Sequence, residues 1–399
     1  MKQLSIALLL IAGLFGAQLQ AQDTLRNKKG GGYLFTVVKS HDATVVQDQS
    51  RTGTCWSFSA LSFIESELIR TGKGKHNLSE MYIVRMAYID KAERYVRMHG
   101  SLNFGQGGAF HDIPYIVKKY GMMPEEAYMG LSYGEEKHNH NEMEAMLKAV
   151  LDVVIKNPQG NITTSWKKAY ESILDAYLGP LPANFNYQGK SYTPQTFSSF
   201  IGLNMDDYLV VTSFTHHPFY QNFIFEVPDN WSWGSCYNVP LDEMIQVLDN
   251  GIEQGYTVAW AADVSEKGFN YREGLAVVPE NEDQIKKKGA DSKHFNDAGS
   301  EKIGNIFEAP GKEKVITQEL RQQAFDNFQS TDDHGMHITG IVKDQTGKKY
   351  YIVKNSWGAA FNDCDGFFYA SEAYVKYKTM NVMVHKQSLT KELKKKLGI

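Results

Sequence analysis

Apolar residues in the run Cys55–Arg70 recur at Phe58, Leu61, Ile64 and Leu68, the three-and-four spacing of one helix face. Thr52 and Thr54 precede the run as candidate N-caps. A second helix is expected over Ser79–Met98, opened by Asn77 with Glu80 three residues on, and a third ends before Gly121. Residues 133–200 read as a polar, helix-rich insertion containing Glu142–Ile155 and Ser165–Leu178. Strand-like runs follow at Tyr208–Phe214, Asn222–Val227 and Tyr256–Asp263, with a helix near Asp242–Glu253. A charged loop over 279–315 leads to a helix at Gln318–Gln329. Then comes the hairpin His334–Ile341, turn Asp344-Gln345-Thr346-Gly347, and return strand Lys349–Asn355. Helices concentrate in the first half and strands in the second, so the pattern predicts an α+β chain with a groove where the two parts meet.

Composition narrows the class. A chain of 399 residues with 42% hydrophobic content can build one large domain or two lobes. The net charge of −4 argues against nucleic acid as the main partner. No apolar span is long enough for a mature transmembrane helix. The N-terminus reads as a secretory signal: Lys2, the apolar stretch Leu4–Phe15 and a cleavage zone at Ala17–Ala21. Export of residues 22–399 to the periplasm or beyond is the expectation. If Cys55 stays free in that oxidising compartment, Cys236 and Cys364 either form one disulfide or remain two buried thiols.

The chemistry concentrates in three segments. Gln49-Ser50-Arg51-Thr52-Gly53-Thr54-Cys55-Trp56 places a cysteine at the start of the first helix with an amide upstream. A helix N-terminus favours a thiolate, and an imidazole can complete its activation. The hairpin returns Asn355 opposite residues 335–339, within reach of the histidines on the outgoing strand. His334 and His337 lie three apart, so they face opposite sides; His334 is the candidate base and Asn355 the amide that orients it. Gln49 and the Cys55 N–H could donate to a tetrahedral oxyanion. His216-His217 and His138-x-His140 come with no carboxylate or cysteine at zinc-site spacing, so no metal and no cofactor is expected. Trp231 and Trp233 read as packing residues, and Lys391, Lys394, Lys395 and Lys396 as a solvated helix face.

These segments resemble the papain superfamily of cysteine peptidases, whose marks are Gln-x6-Cys-Trp, His-(Ala/Gly) and Asn-Ser-Trp-Gly. Asn77–Tyr82, Lys91–Tyr95, Gln106–Phe110 and Tyr237–Leu241 are similar to its bleomycin hydrolase or aminopeptidase C branch. The resemblance implies a two-lobed papain-like fold: a helical lobe over 22–132, an insertion over 133–200, and an antiparallel sheet or barrel lobe over 201–399. It implies Cys55 as nucleophile, His334 as base, Asn355 as orienting amide and Gln49 as oxyanion donor. Gly107 and Gly108 match a glycine pair along which substrate backbone lies, and Trp357 an indole that shields the His–Asn contact. Peptides are the implied substrates, and hexameric cages in that branch imply self-association. His334 and Asn355 follow Cys55 by about 280 and 300 residues, where the local papain signature expects about 130–150; large insertions are a feature of the branch. Its members end in an arm that lies in the cleft and limits cleavage to N-termini, and this sequence stops about where that arm begins. The leading expectation is therefore an aminopeptidase. The alternatives are an endopeptidase with an open cleft and a non-catalytic binding protein of the same fold.

Overall fold

The computed structural model describes residues 24–157, 160–281, 285–287 and 302–399; the signal-like residues 1–21 lie outside it. The chain begins with two strands, β1 (Thr24–Arg26) and β2 (Leu34–Ser40), followed by the helices α1 (Cys55–Arg70), α2 (Glu80–Arg97) and α3 (Asp112–Tyr120). The insertion supplies α4 (Asn141–Ile155), α5 (Ser165–Leu178), the hairpin β3 (Phe185–Tyr187) and β4 (Lys190–Tyr192), and α6 (Pro194–Ile201). Next come β5 (Tyr208–Thr212), β6 (Asn222–Ile224), β7 (Ser235–Asn238), α7 (Leu241–Glu253), β8 (Val258–Ala262), β9 (Phe269–Asn270) and β10 (Leu275–Ala276). Two short strands, β11 (Ile285–Lys287) and β12 (Lys302–Gly304), pair with each other within the charged 279–315 segment. The rest is α8 (Gln318–Asp326), β13 (His334–Asp344), β14 (Lys349–Lys354), β15 (Phe367–Ser371), α9 (Glu372–Lys378), β16 (Thr379–His385) and α10 (Lys391–Leu397).

One twelve-stranded sheet organises these parts, with β16, β8, β13, β14 and β15 adjacent at its centre. β13 is its axis: Lys343 is the strand's one exposed residue, and the strand pairs along three partners. Its first half, His334–Ile338, pairs with β8; its second half, Gly340–Asp344, pairs with β2. A register shift between Ile338 and Gly340 accompanies the change of neighbour, as a β-bulge does at a sheet corner. Gly340 is required there, because a Cβ would come 2.4 Å from the Lys39 carbonyl oxygen.

The helices pack into one apolar cluster, which includes Phe63, Tyr88, Leu147 and Tyr170, and the sheet covers a second, which includes Trp260, Val353 and Phe368. α1 lies between them. The sequence predicted a one-faced helix, yet Cys55 through Leu68 are all buried, because α2, the loop after β2 and the β13–β14 hairpin take up its polar side chains: Ser57 Oγ donates to the Glu80 carbonyl, Ser66 Oγ to the Asp42 carbonyl, and Ser62 Oγ meets His337 and Lys354. Three further expectations are corrected. Residues 24–40 do not join the helical lobe but form two strands, the second docked on β13. Ser79 rather than Asn77 caps α2, its Oγ accepting from the Tyr82 N–H at 3.0 Å, while the Asn77 side chain accepts from Gln47. α8 ends at Asp326, three residues early. Cys236 and Cys364 are both free: Cys236 is sealed in the helical-lobe cluster, whereas the Cys364 thiol donates to the Asn27 carbonyl beside β1.

Candidate active site

Cys55 opens α1, where the first backbone N–H groups have no intrahelical partner. Thr54 occupies the N-cap position without making a side-chain cap. The two threonines brace the loop instead: Thr52 Oγ1 donates to the Gln49 carbonyl at 2.9 Å and shares a 2.5 Å hydrogen bond with Thr54 Oγ1. Small groups let α1 approach β13. Ser59 Oγ donates back to the Cys55 carbonyl at 2.7 Å, and Gly335 faces the same turn. A Cβ on Gly335 would lie 2.7 Å from Ser59 Oγ and 3.2 Å from the Cys55 carbonyl oxygen. This close approach gives a physical reason for the small residue after His334.

The hairpin delivers the imidazole and the amide together. His337 pairs with Lys354 across β13 and β14, so Asn355 emerges level with the start of β13. His334 Nε2 donates to Asn355 Oδ1 at 2.7 Å. The assignment is fixed by chemistry, since the Ser356 N–H donates to the same amide atom at 2.8 Å, and that atom must therefore be the oxygen. The proton then sits on Nε2, and Nδ1 is left as a buried lone pair with no partner among the described residues. Trp357 covers the pair, its ring 4.7 Å from that of His334. His337 faces the other way, onto Ser62 Oγ of α1 at 2.9 Å.

Cys55 and His334 line one small cavity. Burial pushes the Cys55 thiol up to about 12, against a smaller opposing pull from the Gly335 N–H. Burial also holds His334 down at about 4, although Asn355 and Asp333 favour its charged form. Burial thus works against a thiolate–imidazolium pair in this enclosed state, while the start of α1 works for it.

The other sequence candidates fall into two groups. Gln49 is fully buried and knits the nucleophile loop to the end of the hairpin. Its Nε2 donates to the Thr52 carbonyl at 2.7 Å, its Oε1 accepts from Ser356 Oγ, and its N–H donates to the Ser356 carbonyl. The second of its two amide hydrogens has no partner among the described residues. Gly107 and Gly108 line the cavity, but protein already lies against them: a Cβ on Gly107 would fall 1.9 Å from the Asp229 carboxylate, and one on Gly108 2.7 Å from the Trp56 indole. Asp229, Asp332 and Asn381 also line the cavity, and sequence reasoning missed all three. They come from a loop after β6, the residues before β13 and the middle of β16, with no shared motif to announce them.

His216 and His217 do meet a carboxylate, Glu226, at 3.3 and 3.4 Å, brought back across the turn into β6. It is the only three-residue cluster of metal-ligand type among the described residues; two of its three members are exposed, and His216 Nδ1 is shared with the Gln322 side chain. No helix among the described residues is long and apolar enough to cross a membrane.

Known cysteine peptidases are similar to this chain along most of its length. The family model described as papain family cysteine protease matches residues 36–200, and that described as peptidase C1-like family matches residues 295–398. The chain is 23% identical over 392 residues to Aminopeptidase G of Lactobacillus delbrueckii subsp. lactis, covering 87% of this chain and 82% of that one. It is 21% identical over 420 residues to Aminopeptidase C of Streptococcus thermophilus, covering 94% and 87%. The crystal structure of PepW from Lactobacillus rhamnosis superposes with a TM-score of 0.68 at 20% identity, covering 91% and 84%.

Proposed function

We propose, from the premise that the chain belongs to the papain superfamily of cysteine peptidases, that it is a thiol aminopeptidase whose nucleophile is Cys55. The observation that carries the mechanism is the double acceptance by Asn355 Oδ1, which leaves His334 Nδ1 as a free base in the cavity of Cys55. As Cys55 Sγ attacks the peptide carbonyl, the thiol proton passes to His334 Nδ1 and a new C–S bond forms. The Cys55 N–H and the uncommitted Gln49 amide hydrogen would receive the oxyanion. The tetrahedral adduct then expels the amine, which takes the proton from His334, and a thioester remains. Water, deprotonated by the same Nδ1, hydrolyses the thioester and restores the thiol.

The aminopeptidase assignment is supported by relatives named for that activity over most of their length. The test is turnover of aminoacyl amides with a fluorogenic leaving group, beside N-acetylated versions and a Cys55→Ser variant. Thiol-dependent release from free-amine substrates is expected, lost on substitution. Cleavage of blocked peptides would make the enzyme an endopeptidase, and activity surviving Cys55→Ser would refute the mechanism. Export is supported by residues 2–21 alone and is checked by N-terminal sequencing of the protein from cell fractions. Self-association rests on the family resemblance and is checked by light scattering.

A further inference from the structure

We propose that Asp229, Asp332 and Asn381 form a receptor for the α-ammonium of the substrate, closing one end of the cavity that holds Cys55 and His334. The inference rests on the peptidase reading above and assigns residues to its preference for free N-termini. All three side chains line the Cys55 cavity. Asn381 is 4% exposed, and its Oδ1 is an acceptor with no hydrogen-bond partner among the described residues. Its placement follows from the sheet: Gly335, Ala261 and Asn381 lie in one row across β13, β8 and β16. The acceptor therefore sits two strands from the point where α1 meets β13.

The acids around it are not equivalent. Asp333 is occupied, accepting from the Ser265 N–H and the Thr331 hydroxyl, and so belongs to the scaffold. Asp332 accepts no hydrogen bond and meets no cation among the described residues. Asp229 takes one bond, from Asn103 Nδ2 at 3.1 Å, and its carboxylate rests on Gly107. Lys91 donates to the Gly105 and Gly107 carbonyls and acts on Asp229 through space, making no ion pair with it among the described residues. Burial raises the affinity of both carboxyls for protons, taking Asp332 to about 8, and the two repel each other. A cation placed between them relieves that repulsion, and an ammonium offers three N–H donors to two carboxylates and one amide oxygen. A neutral N-acyl group offers one donor and no charge, and its extra bulk points at the wall that Asp229 builds over Gly107.

Two readouts test this. In the first, kcat and KM are measured for free-amine and N-acetyl forms of aminoacyl and dipeptidyl amides with Asp229→Asn and Asp332→Asn. One-to-one alkylation of Cys55 by iodoacetamide reports that the site is folded. The preference for the free amine should fall on the order of 10- to 100-fold, chiefly through KM. In the second, calorimetry follows binding of leucinamide and N-acetyl-leucinamide to Cys55→Ser protein with and without the same substitutions. Binding of leucinamide should weaken by a similar factor in either variant. An unchanged preference, or leucinamide binding indifferent to both acids, overturns the receptor and leaves the aminopeptidase reading standing. A preference for N-acetyl dipeptides with arginine before the cleaved residue, lost in Asp332→Asn, also overturns it, since the acids would then form a side-chain pocket. Leucinamide binding that depends on the acids, in a protein whose unsubstituted form hydrolyses nothing, supports the receptor and refutes the peptidase reading alone.

Discussion

Removal of the Asn355 side chain isolates the part of the mechanism that depends on a single proton position. In the intact site Asn355 Oδ1 accepts from His334 Nε2 at 2.7 Å and from the Ser356 N–H at 2.8 Å, inside a cover formed by Trp357. Asn355→Ala leaves an imidazole that must either bury an unpaired Nε2–H or move its proton to Nδ1. An unpaired buried donor costs about 1–3 kcal/mol, so the tautomer balance shifts by that amount toward the form whose Nδ1 cannot accept the thiol proton. The expected loss in kcat is about 5- to 150-fold, with KM nearly unchanged, because nothing that binds substrate has been removed. Nitrogen NMR of the His334 ring gives a readout independent of turnover: the Nε2–H tautomer should dominate in the parent and lose its dominance in the variant. Asn355→Asp should behave differently. A carboxylate at that position raises His334 from about 4, and alkylation of Cys55 at mildly acid pH should quicken as the ion pair becomes accessible. If Asn355→Ala kept full kcat and the parent tautomer, the amide would have no orienting role and the assignment of Nδ1 as base would fail.

Three other outcomes follow from the same structure. With the thiol held up near 12 and the imidazole down near 4, the iodoacetamide rate of the resting enzyme should climb steadily from pH 5 to pH 10; an early plateau would reveal a preformed ion pair. His140 is buried with neither ring nitrogen bonded among the described residues and is held down at about 3 by burial, whereas the unfolded imidazole protonates near 6.5. The native state therefore binds fewer protons in that window, so its contribution to stability is complete above about pH 6.5 and is lost as the pH falls. His140→Leu should accordingly gain about 2 kcal/mol on the parent between pH 7.5 and pH 5 in urea titrations, and an equal change at both pH values would contradict the assignment. Gly107→Ala should cost about 1–3 kcal/mol by driving a methyl into Asp229, and adding Asp229→Ala should recover most of it; additive losses would show that the two do not collide.

What the sequence disclosed follows the range of the forces involved. α1 and the β13–β14 hairpin were legible because helical spacing and a short turn are local, and the turn fixes register well enough to bring Asn355 to His334. That His334 and His337 face opposite sides was legible for the same reason, since alternation along a strand needs no knowledge of the partner; the choice between them leaned on the family resemblance. β2 was not: Leu34–Ser40 finds its pairing on β13, about three hundred residues away, and no local pattern distinguishes a docked edge from a loop. The cap of α2 went to Ser79 over Asn77, a shift of two residues that pattern alone does not resolve. The depth at which Cys55 lies was not legible because burial is a tertiary property; the start of α1 is where the sequence puts it, but Gly107, Asp229 and Asp332 close around it from distant parts of the chain.

The glycine pair shows where that boundary runs inside the site itself. Read as a motif, Gly107 and Gly108 signify a smooth wall for substrate backbone. In the folded chain both positions meet protein, the Asp229 carboxylate at one and the Trp56 ring at the other. A glycine reports only that something approaches closely, never what approaches. Here the answer comes from the loop after β6, whose side chain the pattern could not have placed. The same holds for Asp332, which stands one residue before a scaffold acid and two before the base, yet is the member of that run left without a partner among the described residues. The catalytic pair is thus encoded as a pattern, while the groups that set which end of a peptide can reach it are encoded by packing. A substitution at Asp229 or Asp332 should therefore change selection of substrate before it changes the chemistry, and one at Asn355 should do the reverse.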